Sequence, residues 1–270
     1  MNILGEILLI LQTHSTIPAP FGWFHSISWI ISILAGIWLC IKFKNPNEKT
    51  VRRILLTMGL ICIILEIYKQ IVFTFTYEGG IFTHDYQWYA FPYQFCSTPM
   101  YVQLLTGIIK KKPIHRSLCA FLATYAIFAG ICVMVYPNDV FTRLVGVNVQ
   151  TMICHGSMLS IGIFLYGSGY VKTEMKTLYR AIPVFVLATA LAVVMNEWVV
   201  ASGVLGDDVF NMFYISRHFG TTLPVYSTVL KYVPYPWSLI LYILIFTIAA
   251  LLVLAFATLL KKLVSTIKKR

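Results

Sequence analysis

Cys96, one of six cysteines, and His155, one of six histidines, are of types that suit covalent chemistry. A thiolate is a strong nucleophile near neutral pH, and a neutral imidazole can take the thiol proton and later hand it to a leaving group. Both fall in apolar runs, where an idle histidine is expensive to keep. Gln94, Ser97 and Thr98 flank the cysteine and are the nearest donors for a tetrahedral oxyanion. Pro92 suits the first turn of a helix. Pro99 cannot donate to the carbonyl of Phe95, so an opened backbone is expected beside Cys96. A helix that begins near residue 91 would hold Cys96 about one turn from its positive dipole end, which favours the thiolate.

Other polar residues share these apolar runs. Glu66, Lys69 and Gln70 lie on one run, and the spacing of the first two puts them on one helical face, able to neutralise each other. Gln103, Ser157, Asn196 and Glu197 complete the polar set. Blander roles compete. A membrane cysteine is commonly a packing residue, and a serine or threonine commonly bonds its own helix backbone.

The elements that must carry these groups follow from composition. Hydrophobic residues make up 59% of the chain and charged residues 11%, against about 25% charged in a soluble domain. Such a chain cannot clothe a water-facing surface. Soluble enzymes, disordered tails and nucleic-acid-binding domains are excluded despite the net charge of +11, and no nucleic-acid partner is expected. Seven apolar segments can be marked, at about 22–43, 54–76, 91–109, 117–135, 149–171, 181–199 and 236–260. The expected fold is an all-α polytopic helical bundle with about seven transmembrane helices, forming one domain over 1–270.

Charge orients the bundle. Basic blocks at Lys42–Arg53, Lys110–Arg116, Lys172–Arg180 and Lys261–Arg270 follow the first, third, fifth and seventh segments. By the positive-inside rule the N-terminus is outside and the C-terminus cytoplasmic, with anionic lipid headgroups as partners of the basic face. Trp23, Trp88, Trp198 and Trp237 fall near the outer ends, as an aromatic belt requires. No basic stretch precedes Ile3–Leu11, so it is read as an interfacial element rather than a cleaved leader. In this register Cys96 lies about 8 Å and His155 about 9 Å below the outer ends of their helices, at one level. Gly156 and Ser160 form a small-xxx-small pair that permits close helix approach. The six cysteines all fall in apolar runs, which argues against a disulfide framework. The outer stretch 200–235 contains the apolar run Asn211-Met212-Phe213-Tyr214-Ile215 and either folds back over the bundle or lies at the interface.

Three motifs carry a resemblance: Phe91-Pro-Tyr-Gln-Phe-Cys96-Ser-Thr-Pro-Met-Tyr, then Cys154-His155-Gly156-Ser157, then Asn211-Met-Phe-Tyr214. Together they resemble the YwaF-like integral membrane proteins, which are grouped with a human transmembrane acyltransferase acting on ether phospholipids. More distantly they are similar to the androgen-induced intramembrane hydrolases. The resemblance implies that Cys96 accepts the acyl group and His155 partners it, in a bacterial cell membrane. Many members have histidine two residues before the cysteine, where this chain has Gln94. Asn211 and Tyr214 match a third motif, a substrate-binding candidate.

The expectation is a phospholipid acyltransferase that works through a thioester on Cys96, with phospholipids and lysophospholipids as substrates. It needs no cofactor and no metal. The rival is a transporter or small-molecule receptor lined by Glu66, Lys69, Gln70 and Glu197.

Overall fold

The computed structural model describes residues 2–267. It is a helical bundle with six helices long and apolar enough to cross a membrane. These are α2 (Trp23–Lys42), α3 (Glu48–Thr74), α5–α6 (Lys112–Phe121 and Ile127–Val135, joined by a π turn at Leu122–Ala126), α7 (Val145–Gly167), α8 (Met175–Ser202) and α10 (Trp237–Ile267). Several helices run past the apolar ends. Helix α3 starts at Glu48 because the Asn47 side chain accepts from the Thr50 amide at 2.9 Å, an N-cap in the basic inner loop. Lys268, Lys269 and Arg270 of the last basic block lie outside the described residues.

The third expected segment, 91–109, is not a continuous helix. The chain descends from the outer face as irregular backbone through residues 85–97, broken by a 3-10 turn at Trp88–Ala90. Only then does α4 form, over Thr98–Ile108. Its 11 residues span about 16 Å, half of a hydrocarbon core of about 30 Å. The prolines account for the break. Pro99 lies in the first turn of α4, where a missing amide costs nothing, and upstream Pro92 removes a second donor.

Irregular backbone at this depth must find partners. Gln70 Nε2 donates to the Ala90 carbonyl at 2.9 Å, and Tyr101 Oη donates to that of Pro92 at 2.9 Å. Helix α4 runs antiparallel to the inner half of α3. A Cβ on Gly59 would meet the Leu104 backbone at 2.7 Å, so this close approach needs glycine. Arg52 of α3 closes the inner end by donating to the carbonyls of Gly107 and Ile108.

Helix α7 is the buried centre. Gly156 rests on the Ser32 side chain of α2, and Ser160 Oγ donates to the Ser32 carbonyl at 2.7 Å, so the small pair does bring two helices together. On the outer face, α1 (Ile3–Leu11) lies across an antiparallel hairpin of β1 (Phe75–Glu78) and β2 (Ile81–His84), with Gly5 over the Tyr77 ring. Trp23, Trp198 and Trp237 are exposed at the outer helix ends. The long outer connection carries a second short turn at Met212–Tyr214 and the single-turn helix α9 (Tyr226–Val229).

Candidate functional site

His155 is buried within α7, ten residues after its first residue, Val145. That is about 15 Å from the helix end, deeper than the expected 9 Å because α7 begins before residue 149. Its Nδ1 lies 2.7 Å from the Thr151 carbonyl oxygen. A carbonyl only accepts, so Nδ1 carries the proton and Nε2 presents its lone pair. Nε2 is buried and has no hydrogen-bond partner among the described residues.

Cys96 is half-buried in the turn that precedes α4. The sequence places it inside the first helical turn; it lies instead just ahead of N-cap Ser97. The turn is closed by the Ser97 and Thr98 amides, which donate to the Gln94 carbonyl at 2.9 and 3.0 Å. Ser97, the N-cap residue of α4, follows the cysteine directly. Cys96 and His155 form no hydrogen bond with each other among the described residues. Met100 of α4 packs with Cys62 of α3 and with Cys154, the neighbour of His155.

Lys69 itself is paired with Glu66 at 2.7 Å, as their spacing implies. Glu66 is buried and also accepts from Gln70 at 2.8 Å and from Gln150 of α7 at 3.0 Å. Tyr86 Oη donates to Gln70 Oε1 at 3.1 Å. Gln150 was missed in the sequence, although it is polar and lies five residues before His155 on an apolar run. Gln103 joins the inner side of this region, with Nε2 3.4 Å from Ser157 Oγ and Oε1 buried without a partner among the described residues.

Glu197 departs from the expected polar core. It is held at the outer rim by Arg217 at 2.7 Å and His218 at 3.2 Å, and it shares no partner with Glu66. Its partners both follow the buried return at 210–216, and its side chain is about one-third exposed, which marks it as a rim residue. Its neighbour Asn196 points the other way and is buried. It donates to the Met212 carbonyl at 3.0 Å and accepts the Met212 amide at 2.7 Å.

The outer segment folds back into the bundle at 210–216, where Phe210, Met212 and Phe213 are fully buried. Gln94 fastens this return, donating to the Asn211 carbonyl at 3.0 Å and accepting the Phe213 amide at 2.9 Å. Its amide is thus a clamp, and the Thr98 hydroxyl donates to the Gln94 carbonyl at 3.1 Å. Of the three oxyanion candidates, Ser97 keeps its hydroxyl free of such bonds among the described residues. Asn211 shapes the loop, accepting from the Ser216 amide and donating to the Gly220 carbonyl. Phe213 and Tyr214 both have positive φ, 59° and 58°, a strained pair for bulky residues. Tyr214 is partly exposed, and desolvation pushes its phenol up, so it stays a neutral donor.

A groove of about 500 Å³ opens between α3 and the descending backbone. Ile63, Ile67, Ile71, Pro92, Met100 and Tyr101 line it, with Glu66 and Gln70 on one wall. Its walls are almost wholly apolar, and Ile67 and Ile71 open it toward lipid.

Residues 20–257 match the sequence profile of the TMEM164 family. No curated protein and no solved structure matches the chain.

Proposed function

Because the chain belongs to the TMEM164 family of membrane proteins, we propose that it is a phospholipid acyltransferase in which Cys96 is the nucleophile and His155 the base. The observation that carries this reading is the free, buried Nε2 of His155. Its partner nitrogen is tied to Thr151, which leaves Nε2 in the tautomer a general base requires.

In this reading an acyl chain enters along the apolar groove and its ester carbonyl reaches Cys96. Nε2 takes the thiol proton. The sulfur attacks the carbonyl carbon, and the oxyanion is met by the Cys96 amide and the Ser97 hydroxyl. The start of α4 and the Lys69 ammonium add positive potential where this charge develops. When the carbon–oxygen bond breaks, His155 protonates the leaving alkoxide and a lysophospholipid departs. A second lysophospholipid hydroxyl then loses its proton to His155 and attacks the thioester, which regenerates the thiol. Water in that role would give hydrolysis.

The test is covalent capture. Purified protein incubated with phospholipid carrying a labelled acyl chain should acquire label that neutral hydroxylamine removes, and Cys96→Ala should not. Label that survives in Cys96→Ala, or resists hydroxylamine, would sink the thioester. An absence of label together with solute uptake into vesicles would favour the transporter reading. Against a continuous path, Glu66 and Glu197 belong to separate networks.

A further inference from the structure

At the opposite, basic face of the bundle lies a second cavity, of about 310 Å³. It is enclosed by α5, the link between α7 and α8, and the first turns of α8. Four cations line it: Arg116 of α5, Lys172 of the link, and Lys176 and Arg180 of α8. Glu174 is the one carboxylate on its wall. The ion pairs among the described residues involve Lys69, Arg217 and His218 only, so none of the four cations is paired.

The concavity is built rather than a chance gathering of mobile side chains. On its floor, Tyr170 Oη is 2.8 Å from His115 Nε2, and His115 Nδ1 is 3.1 Å from the Thr106 carbonyl oxygen, which ties the link to α5 and α4. The link is pinned twice more, by Thr177 Oγ1 donating to the Lys172 carbonyl at 2.7 Å and by the Val171 amide donating to Leu165 at 2.9 Å.

This arrangement opposes itself electrostatically. Lys176 and Arg180 are four apart on one helix, where like charges repel. They also sit in the opening turns of α8, which has no acidic residue in its first turn, beside the positive end of the helix dipole. Glu174, the N-cap residue of α8, is a single carboxylate against four cations, and an anion in the cavity would offset the remaining charge. A tetrahedral oxyanion can accept from both guanidiniums and from the lysines. The cavity stands where the spans end on the positive-inside face, at headgroup level.

We propose that this cavity binds a phosphate group, as carried by the headgroup of an anionic phospholipid in the cytoplasmic leaflet or by free phosphate. It is independent of the acyl-transfer reading, since it shares no residue with the Cys96 site.

The experiment uses the full-length protein in detergent. Binding is followed by native mass spectrometry and thermal stability with four probes: dioctanoyl phosphatidic acid, dioctanoyl phosphatidylglycerol, inorganic phosphate and zwitterionic dioctanoyl phosphatidylcholine. The two anionic lipids should bind and raise the melting temperature, and Arg116→Gln with Arg180→Gln should weaken them about tenfold or more. Lys261→Gln with Lys262→Gln, which removes two cations outside the cavity, should not. If inorganic phosphate alone competes fully with the lipids, the phosphate site stands and its source is free phosphate. Equal binding of phosphatidylcholine, or anionic binding unchanged in the arginine variant, overturns the proposal. Should that variant fail to fold, Lys172→Gln with Lys176→Gln at exposed positions replaces it under the same criteria. Without ligand, Arg180→Gln should match or exceed the native melting temperature, because it relieves repulsion. A large loss would assign the arginine a structural role and overturn the proposal.

Discussion

Gln94 holds Asn211 through its side-chain amide, Nε2 to carbonyl oxygen at 3.0 Å, and so fastens the outer segment to the turn that carries Cys96. The same amide accepts the Phe213 N–H, so one side chain engages backbone on both sides of Met212. Gln94→Ala should leave both backbone groups without that partner, at a cost of about 1–3 kcal/mol. Thermal unfolding should fall accordingly, and Cys96 should react faster with a thiol reagent as the segment loosens. An unchanged alkylation rate would mean that the segment does not cover the cysteine.

His155→Ala should slow acyl labelling by about 10²–10⁴-fold without erasing it, since the start of α4 still favours some thiolate. Stopped-time labelling at fixed lipid measures this. A rate equal to the native one would remove His155 from the reaction.

Glu66→Ala should be more damaging to folding than the loss of the pair. It strands Lys69 among apolar walls, which typically costs about 3–5 kcal/mol, whereas Glu66→Leu with Lys69→Met should recover much of that loss. The recovered double variant should still transfer acyl groups slowly, because the cation near Cys96 is gone. Full activity in it would confine Lys69 to a structural role.

Filling the groove tests the entry route. Ile67→Trp adds bulk to its lipid-facing wall while leaving every polar contact of Glu66 in place. Labelling by long-chain lipid should drop several-fold more than labelling by a short soluble ester, read as a change in KM for the long chain. Equal effects on both would place the acyl chain elsewhere.

Cysteine labelling from the two sides should find positions 110–116 and 261–267 cytoplasmic and positions 217–225 outside. Access to 110–116 from outside would invert the bundle.

Much of this fold was legible because hydropathy acts locally. Six apolar runs became spanning helices, and the Gly156–Ser160 pair became a helix contact. The interruption of the third crossing was not seen, since hydropathy registers Phe91, Pro92 and Phe95 as apolar whatever their backbone does. Pro92 and Pro99 held the signal, read there as helix-start and local-opening residues rather than as a half-crossing left unwound. Pairings distant in sequence were invisible on principle: Glu66 with Gln150, 84 residues apart, and Glu197 with Arg217 across a loop. Gln94 was judged by the chemistry its amide offers, when its environment uses both ends of that amide for backbone.

The Gln94 clamp also sets an order of events during synthesis. Its partners lie 117 and 119 residues further along the chain. The turn that bears Cys96 is therefore inserted long before the backbone that fastens it exists. Chains ending before residue 211 carry the cysteine, the histidine and the Glu66–Lys69 pair but none of this closure. Contacts of such long range are the slow ones to form, so the clamped form of the turn that bears Cys96 is a late product of assembly, reached only after α8 has been made and the outer segment has returned.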